Sequence, residues 1–471
     1  MLTRIEEDSI GKKEVPVDAY YGVQSLRAVE NFPISGQKLA PEFIEAMAYI
    51  KKGAASANRD AKTIPADVAD AICRACDEIL SGKLIDQFVV DPYQGSAGTS
   101  MNMNANEVIA NRAIEFLGGA KGDYSIVHPN DHVNFGQSTN DVIPSAGKLT
   151  TITLLDKLIA ELRCLVTALD AKAAEFKDVI KMGRTQMQDA VPITLGQEFN
   201  AYASAVRRGI VRLEAQKAEM YELNMGGTAV GTGLNSDVYY FEHIVPEIAK
   251  LTGLPLVQEK DLIDGTMNID CFSAVSGAVK SVAMALSKIG NDLRLLSSGP
   301  RTGIGEISLP ARQNGSSIMP GKVNPVIPEI LSQCAYKVAG NDFAIAMAVE
   351  GGQLELNAFE PIAYQCLFES LKILANAVRT FRVNCVEGIT ANRQECLDRL
   401  NRSVGTVTAL CPHIGYKKSA ELAKKSLKTG TPIRELIVAE GVMSKEDLDI
   451  VMDAEAMTTP GIAGKELLHR K

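Results

Sequence analysis

A mostly α-helical chain of several domains is predicted by three observations. Long stretches place apolar residues at spacings of three and four, the repeat of a helix with one buried face. Aromatic residues make up only 5% and Trp is absent, so Leu, Ile, Val, Ala and Met must fill the cores, which favours helices over β-sandwiches. Glycine-marked polar clusters break the helical runs. The chain has 471 residues, and at that length about two to four domains are expected.

Residues 1–36 read as an extended, loop-rich arm, with Pro16, Gly22 and Pro33 between short apolar runs. Two helices follow between Ala40 and Gly82, parted by a loop at Lys62 to Pro65. Further helices are expected after the cluster at 94–106, over 147–178, onward to about Asn224, and over 270–298, 326–349 and 360–388. Helices of this length need partners, from the same chain or from neighbouring subunits. Residues 393–471 are more charged and read as a small C-terminal helical domain. The resulting division is 1–140, 141–392 and 393–471.

Composition excludes several functions. The net charge of -8 argues against general nucleic-acid binding, which needs a basic face. No run of about 18 uninterrupted apolar residues is present, so no membrane span is expected, and MLTRIEEDSIG does not read as a signal peptide. Nine irregularly spaced Cys suggest reduced thiols and a cytoplasmic protein. Cys73 and Cys76 form a CxxC within an amphipathic helical run, with no second pair, and read as helix core. His128 and His132 are four apart, but Pro129 disfavours a helix there and no HExxH glutamate accompanies them. The Gly226–Asn235 stretch lacks the lysine and strand–helix setting of a phosphate loop and reads as a tight turn.

Four polar clusters carry the chemistry. The first, QGSAGTSMNMNANEV, contains Thr99 followed by Asn102, Asn104 and Asn106. The second, VHPNDHVNFGQSTNDVIPSA, contains Ser138, Thr139 and Asn140; the third, GRTQMQDAVP, contains Thr185 and Gln186. The fourth, GSSIMPGKVNP, contains Ser316, Ser317, Lys322 and Asn324 on a Gly- and Pro-marked loop ahead of a helix, a setting suited to anions. Hydroxyls, amides, backbone N–H groups and a lysine suit recognition of carboxylates. No catalytic triad and no obvious carboxylate pair is present. Nothing in the spacing alone separates Ser316 from Ser317.

GSSIMPGKVNP resembles the signature of the fumarase/aspartase superfamily, and the other clusters resemble that family's remaining motifs in the same order. The resemblance runs from VPVDAYYGVQSLRA to the final helices. AGTSMNMNANEVIANRA, QSTNDVIPSA, GRTQMQDAVP and GQLELNAFEP are similar to the aspartase branch, and Gln186 stands where fumarases carry His. It implies a three-domain subunit whose long-helix bundle forms a twenty-helix core in a homotetramer, with each active site drawing on three subunits. The implied reaction is elimination of ammonia from L-aspartate to give fumarate through an aci-carboxylate. Ser316 would be the general base and Lys322 its charge partner. Thr99, Ser138, Thr139 and Ser317 would donate to the developing charge, Asn140 and Asn324 would hold the amino group and α-carboxylate, and Thr185 and Gln186 would bind a carboxylate. His128 belongs to a family motif near a second anion site. No organic cofactor is implied; a divalent metal activates some members, and no ligand set is visible. The alternatives are fumarate hydration on the same scaffold and a catalytically silent structural protein.

Overall fold

The computed structural model describes residues 2–469, so the predicted domain ends at residues 1 and 471 lie outside the described residues. The N-terminal arm is more ordered than its composition suggests. Strands β1 (Thr3–Asp8) and β2 (Gly11–Pro16) form an antiparallel hairpin, and α1 (Val23–Asn31) follows. The hairpin turns through Asp8, whose Oδ1 accepts from the N–H groups of Ile10 and Gly11. Charged residues on both strands hid its alternation.

Helices α2 (Pro41–Asp60) and α3 (Ala66–Leu80) lie where the apolar spacing placed them. Helix α4 (Thr99–Phe116) starts inside the first polar cluster. Helix α5 (Thr139–Glu175) starts eight residues before the predicted 147. Its early start is built by side chains: Ser138 Oγ accepts from Asn140 N (3.2 Å), and Asp141 Oδ1 accepts from Ser138 N (2.9 Å), a reciprocal cap. Pro144 lies inside α5 and cannot donate to the Asn140 carbonyl. That carbonyl accepts instead from Asn224 Nδ2 at 3.0 Å.

The third cluster forms a second antiparallel hairpin, β3 (Ile180–Thr185) and β4 (Gln188–Thr194), where an irregular break was expected. Helix α6 (Leu195–Glu219) leads to β5 (Glu222–Leu223). After α7 (Val238–Thr252), β6 (Val257–Gln258) pairs parallel with β5. Helix α8 (Leu262–Met267) is short, and α9 (Asp270–Leu296) is long. Strand β7 (Ile307–Ser308) precedes the loop of the fourth cluster, and α10 (Val326–Glu350) and α11 (Glu360–Asn384) complete the long helices. Strand β8 (Thr390–Ala391) pairs antiparallel with β7, and short helices follow.

The chain divides into two compact units. The first comprises residues 1–160, 209–283 and 334–375. Its core includes Met47, Ile50, Ile72, Val108, Leu155, Tyr240 and Phe272. The second comprises residues 161–208, 284–333 and 376–471. Leu169, Phe176, Phe199, Leu293, Leu331 and Phe381 are buried in it, and a separate apolar cluster of Leu410, Leu422, Ile437, Leu448 and Val451 organises the C-terminal helices. Among the described residues no helix is long and apolar enough to cross a membrane. Cys73 and Cys76 are free thiols on α3, and burial raises the pKa of both.

Candidate active site

In the first unit, the N-termini of α4 and α5 come together. Three successive residues with positive φ, Ser96 (64°), Ala97 (49°) and Gly98 (83°), swing the chain into α4. A Cβ at Gly98 would lie 3.0 Å from Ile143 of α5, so glycine permits both the backbone angle and the approach. Thr99 opens α4, and its Oγ1 donates to Ser96 O at 2.8 Å. Asn102, on the first turn of α4, donates to Thr139 Oγ1 on α5 at 3.3 Å. Ser138, Thr139 and Asn140 are consecutive, and Asn102 ties Thr139 to the helix that Thr99 opens; Thr99, Ser138, Thr139 and Asn140 are all partly exposed.

The asparagine run divides by face. Asn102 and Asn106, one turn apart, both donate to Asn134 Oδ1, at 3.1 and 3.2 Å. Asn104 points elsewhere: it accepts from Val89 N and donates to Gln87 O, fixing the preceding loop. Asn134 Oδ1 also accepts from Lys51 Nζ at 2.8 Å, and Lys51 donates further to Gln137 Oε1 at 2.9 Å. Burial pulls the Lys51 pKa down to about 7, although the Asp141 carboxylate favours its charge. Asp141 is itself fully buried; burial raises its pKa to about 6 against the N–H groups of Ser138, Thr228 and Gly226. The glycine-rich turn at 226–235 thus supports Asp141 and the start of α5, and Asn140 Nδ2 donates to Ala229 O in the same turn at 2.7 Å.

Among these supporting residues, Asn102, Asn104 and Asn106 stand out in the sequence as a polar run beside a glycine turn, whereas Lys51 and Asn224 do not. Lys51 had a signal: it lies four residues from Met47 and three from Ala54, on the apolar face of α2. Asn224 had none, because its partner is freed by a proline 80 residues earlier in sequence.

A cavity of about 580 Å³ in the same unit is lined by Thr99, Ser100, Arg27, Glu107, His128 and Asn130, among others. His128 Nδ1 accepts from the N–H groups of Asn130 and Asp131, capping a turn of π-helix at Pro129–Val133. Glu107 forms the floor of α1: its carboxylate accepts from the N–H groups of Gly22, Gln24 and Ser25 and from Ser25 Oγ.

In the second unit, Thr185 and Gln186 occupy the exposed tip of the β3–β4 hairpin. Gln186 and Met187 have φ of 52° and 66°, the backbone of a tight two-residue turn. Ser316, Ser317, Lys322 and Asn324 lie on the loop between β7 and α10. Ser316 Oγ accepts from Ile318 N (3.2 Å) and Met319 N (3.0 Å), whereas Ser317 is exposed. Gly315 N donates to Lys322 O at 2.8 Å, and Asn324 Nδ2 donates to Gly315 O at 2.8 Å. The Lys322 side chain is exposed. Ile318, at the loop tip, is 84% exposed. Among the described residues, His, Cys, Asp and Glu form no group of three or more that could hold a metal ion.

Residues 11–340 match the family described as Lyase, and residues 407–459 match the family described as Fumarase C C-terminus. The chain is 51% identical over 467 residues to an aspartate ammonia-lyase of Bacillus subtilis (strain 168), covering 99% of this chain and 98% of that protein. It is 47% identical over 465 residues to the aspartate ammonia-lyase of Escherichia coli (strain K12), covering 98% and 97%. Among solved structures, a fumarate lyase:delta crystallin from Brucella melitensis bound to cobalt superposes with a TM-score of 0.95 at 48% identity, covering 98% of this chain and 100% of that one. A class II fumarase from Schistosoma mansoni gives 0.94 at 36% identity, with coverage of 98% and 100%. The helical fold, the order of the polar clusters and these full-length matches agree: the chain belongs to the fumarase/aspartase superfamily of lyases.

Proposed function

We propose that this chain is an aspartate ammonia-lyase, a carbon–nitrogen lyase that reversibly eliminates ammonia from L-aspartate to give fumarate. The geometry that carries the reading is the meeting of the N-termini of α4 and α5, each beginning in hydroxyl side chains, Thr99 on one and Ser138 and Thr139 on the other. Near-half identity to aspartate ammonia-lyases over almost the whole length supports the choice of substrate.

The chemical difficulty is the weak acidity of a C–H beside a carboxylate. Its removal builds a second negative charge on that carboxylate, and each well-aimed donor contributes roughly 3–4 kcal/mol to stabilising it. Helix N-termini add unpaired N–H groups and a favourable dipole. Thr99, Ser138, Thr139 and Ser317 serve as donors. Ser316 takes the proton as an alkoxide, with Lys322 supplying positive charge, and the proton moves from carbon to Ser316 Oγ as the C–N bond weakens. Asn140 and Asn324 hold the amino group and α-carboxylate; Thr185 and Gln186 hold a carboxylate. The scheme routes no step through an organic cofactor or a metal; a divalent cation enters it only as an activator of the kind that some family members use.

The proposal includes a cytoplasmic homotetramer of three-domain subunits in which each site draws on several subunits. Helix α10 supports it: Tyr336, Phe343 and Met347 fall on one stripe and are 60%, 70% and 55% exposed, an apolar face that a second helix would cover.

Purified protein incubated separately with L-aspartate, L-malate and argininosuccinate tests the reading. Fumarate is expected from aspartate alone. Rapid turnover of malate with none of aspartate would replace it with fumarate hydration, and a wild type no more active than Ser316→Ala would point to a silent scaffold.

A further inference from the structure

Glu306 lies in the second unit, one residue before β7 and ten before Ser316. It is fully buried. Its backbone is held on both sides: its N–H donates to Leu296 O, and its carbonyl accepts from Asn392 N, each at 2.9 Å. Its carboxylate reaches a different element. Oε1 accepts from Arg184 Nη2 at 2.8 Å, and Oε2 pairs with Lys181 Nζ at 2.9 Å. Both cations belong to β3, and Lys181 pairs also with Glu198 of α6 at 2.8 Å.

Two carboxylates and two cations therefore close a balanced set, with Glu306 and Lys181 buried at its centre and Arg184 and Glu198 partly exposed at its edge. A buried charge left without its partner is strongly disfavoured, so such a set holds its elements in one arrangement. One element is the hairpin whose next residues are Thr185 and Gln186. The other is the root of the loop bearing Ser316, Ser317 and Lys322.

We infer that Glu306 is a positioning residue that uses one carboxylate to fix both the Thr185–Gln186 hairpin and the root of the Ser316 loop. The inference rests on the aspartate ammonia-lyase reading for the purpose of these two elements, but not for their coupling. Arg184 bonds only one carboxylate oxygen, so its loss loosens the end of β3 next to Thr185 while Lys181 still ties the start of β3 to Glu306.

The test uses the full-length protein. Glu306→Gln is expected to lower kcat/KM for aspartate by about tenfold or more, and Arg184→Met to raise KM about fivefold with kcat within roughly twofold. Hydrogen exchange measured by mass spectrometry should quicken in Glu306→Gln over both 183–190 and 307–324. A variant that loses thermal stability while keeping wild-type kcat and KM and unchanged exchange in these segments overturns the inference, as does faster exchange in only one of them. If Glu306→Gln fails to fold, Arg184→Met decides: an unchanged KM with unchanged exchange over 183–190 refutes the coupling. Absence of wild-type activity on aspartate defeats the functional reading instead, and the exchange comparison still decides the positional one.

Discussion

Lys51 and Asn134 share a hydrogen bond of 2.8 Å beneath the start of α5, and the same Asn134 oxygen accepts from Asn102 and Asn106 of α4. One buried ammonium thus organises three asparagines from two segments. Because burial lowers its pKa from 10.5 to about 7, folded Lys51 binds its proton less tightly than the unfolded chain does.

That difference has a pH signature. Between about pH 7 and 10.5 the unfolded chain holds the extra proton, so stability from this group rises with pH, by up to about 1.4 kcal/mol per pH unit, and the penalty is full below pH 7. Urea midpoints for wild type and Lys51→Met between pH 7 and 9.5 should show a shallower rise in the variant. Parallel curves would refute the assignment, whatever the absolute stabilities.

Asn224 substitutes for the donor that Pro144 cannot supply to the Asn140 carbonyl, and it also bonds Ser145 and Thr266. Asn224→Leu strands these buried groups and should cost about 2–3 kcal/mol. Denaturant unfolding checks this; a loss below about 0.5 kcal/mol would mean that the turn rearranges to satisfy them.

The two loop serines should separate kinetically. Ser316→Ala is expected to reduce kcat by roughly 10²–10⁴-fold, the range of a lost general base. Ser317→Ala should retain more activity, since it removes a donor and leaves the base. Steady-state rates of fumarate formation decide, and the reverse ranking would transfer the base to Ser317.

Gln186 sits at an exposed hairpin tip, where truncation disturbs no core. Gln186→Ala should raise KM for aspartate about three- to tenfold with a smaller change in kcat, as expected for a group that binds substrate and transition state alike. A kcat loss exceeding the KM change would give Gln186 a part in the chemical step.

The legible parts of this chain were those whose information is local. Helices α9, α10 and α11 begin where the apolar stripes placed them and end within a few residues of their predicted limits, because each buries one continuous face. The polar clusters were legible because Gly, Ser, Thr and Asn in series suit no core element. The N-terminal hairpin was missed because β1 and β2 bury little and alternate among charges. The early start of α5 was missed because Pro144 argues against it locally, while Asn224, far along the chain, compensates. Glu306 was passed over for the same reason: its meaning depends on Lys181 and Arg184, more than 120 residues away.

The ends of the Ser316 loop are tied by Gly315 N to Lys322 O and by Asn324 to Gly315 O. Ordering a free segment costs about 1–2 kcal/mol per residue in backbone entropy. A segment already knotted at its base has fewer free torsions, so under the proposed function seating it over a bound dicarboxylate restricts a few flanking torsions rather than ten residues. Substrate affinity is then set by contacts made, with little subtracted for disciplining the chain that makes them.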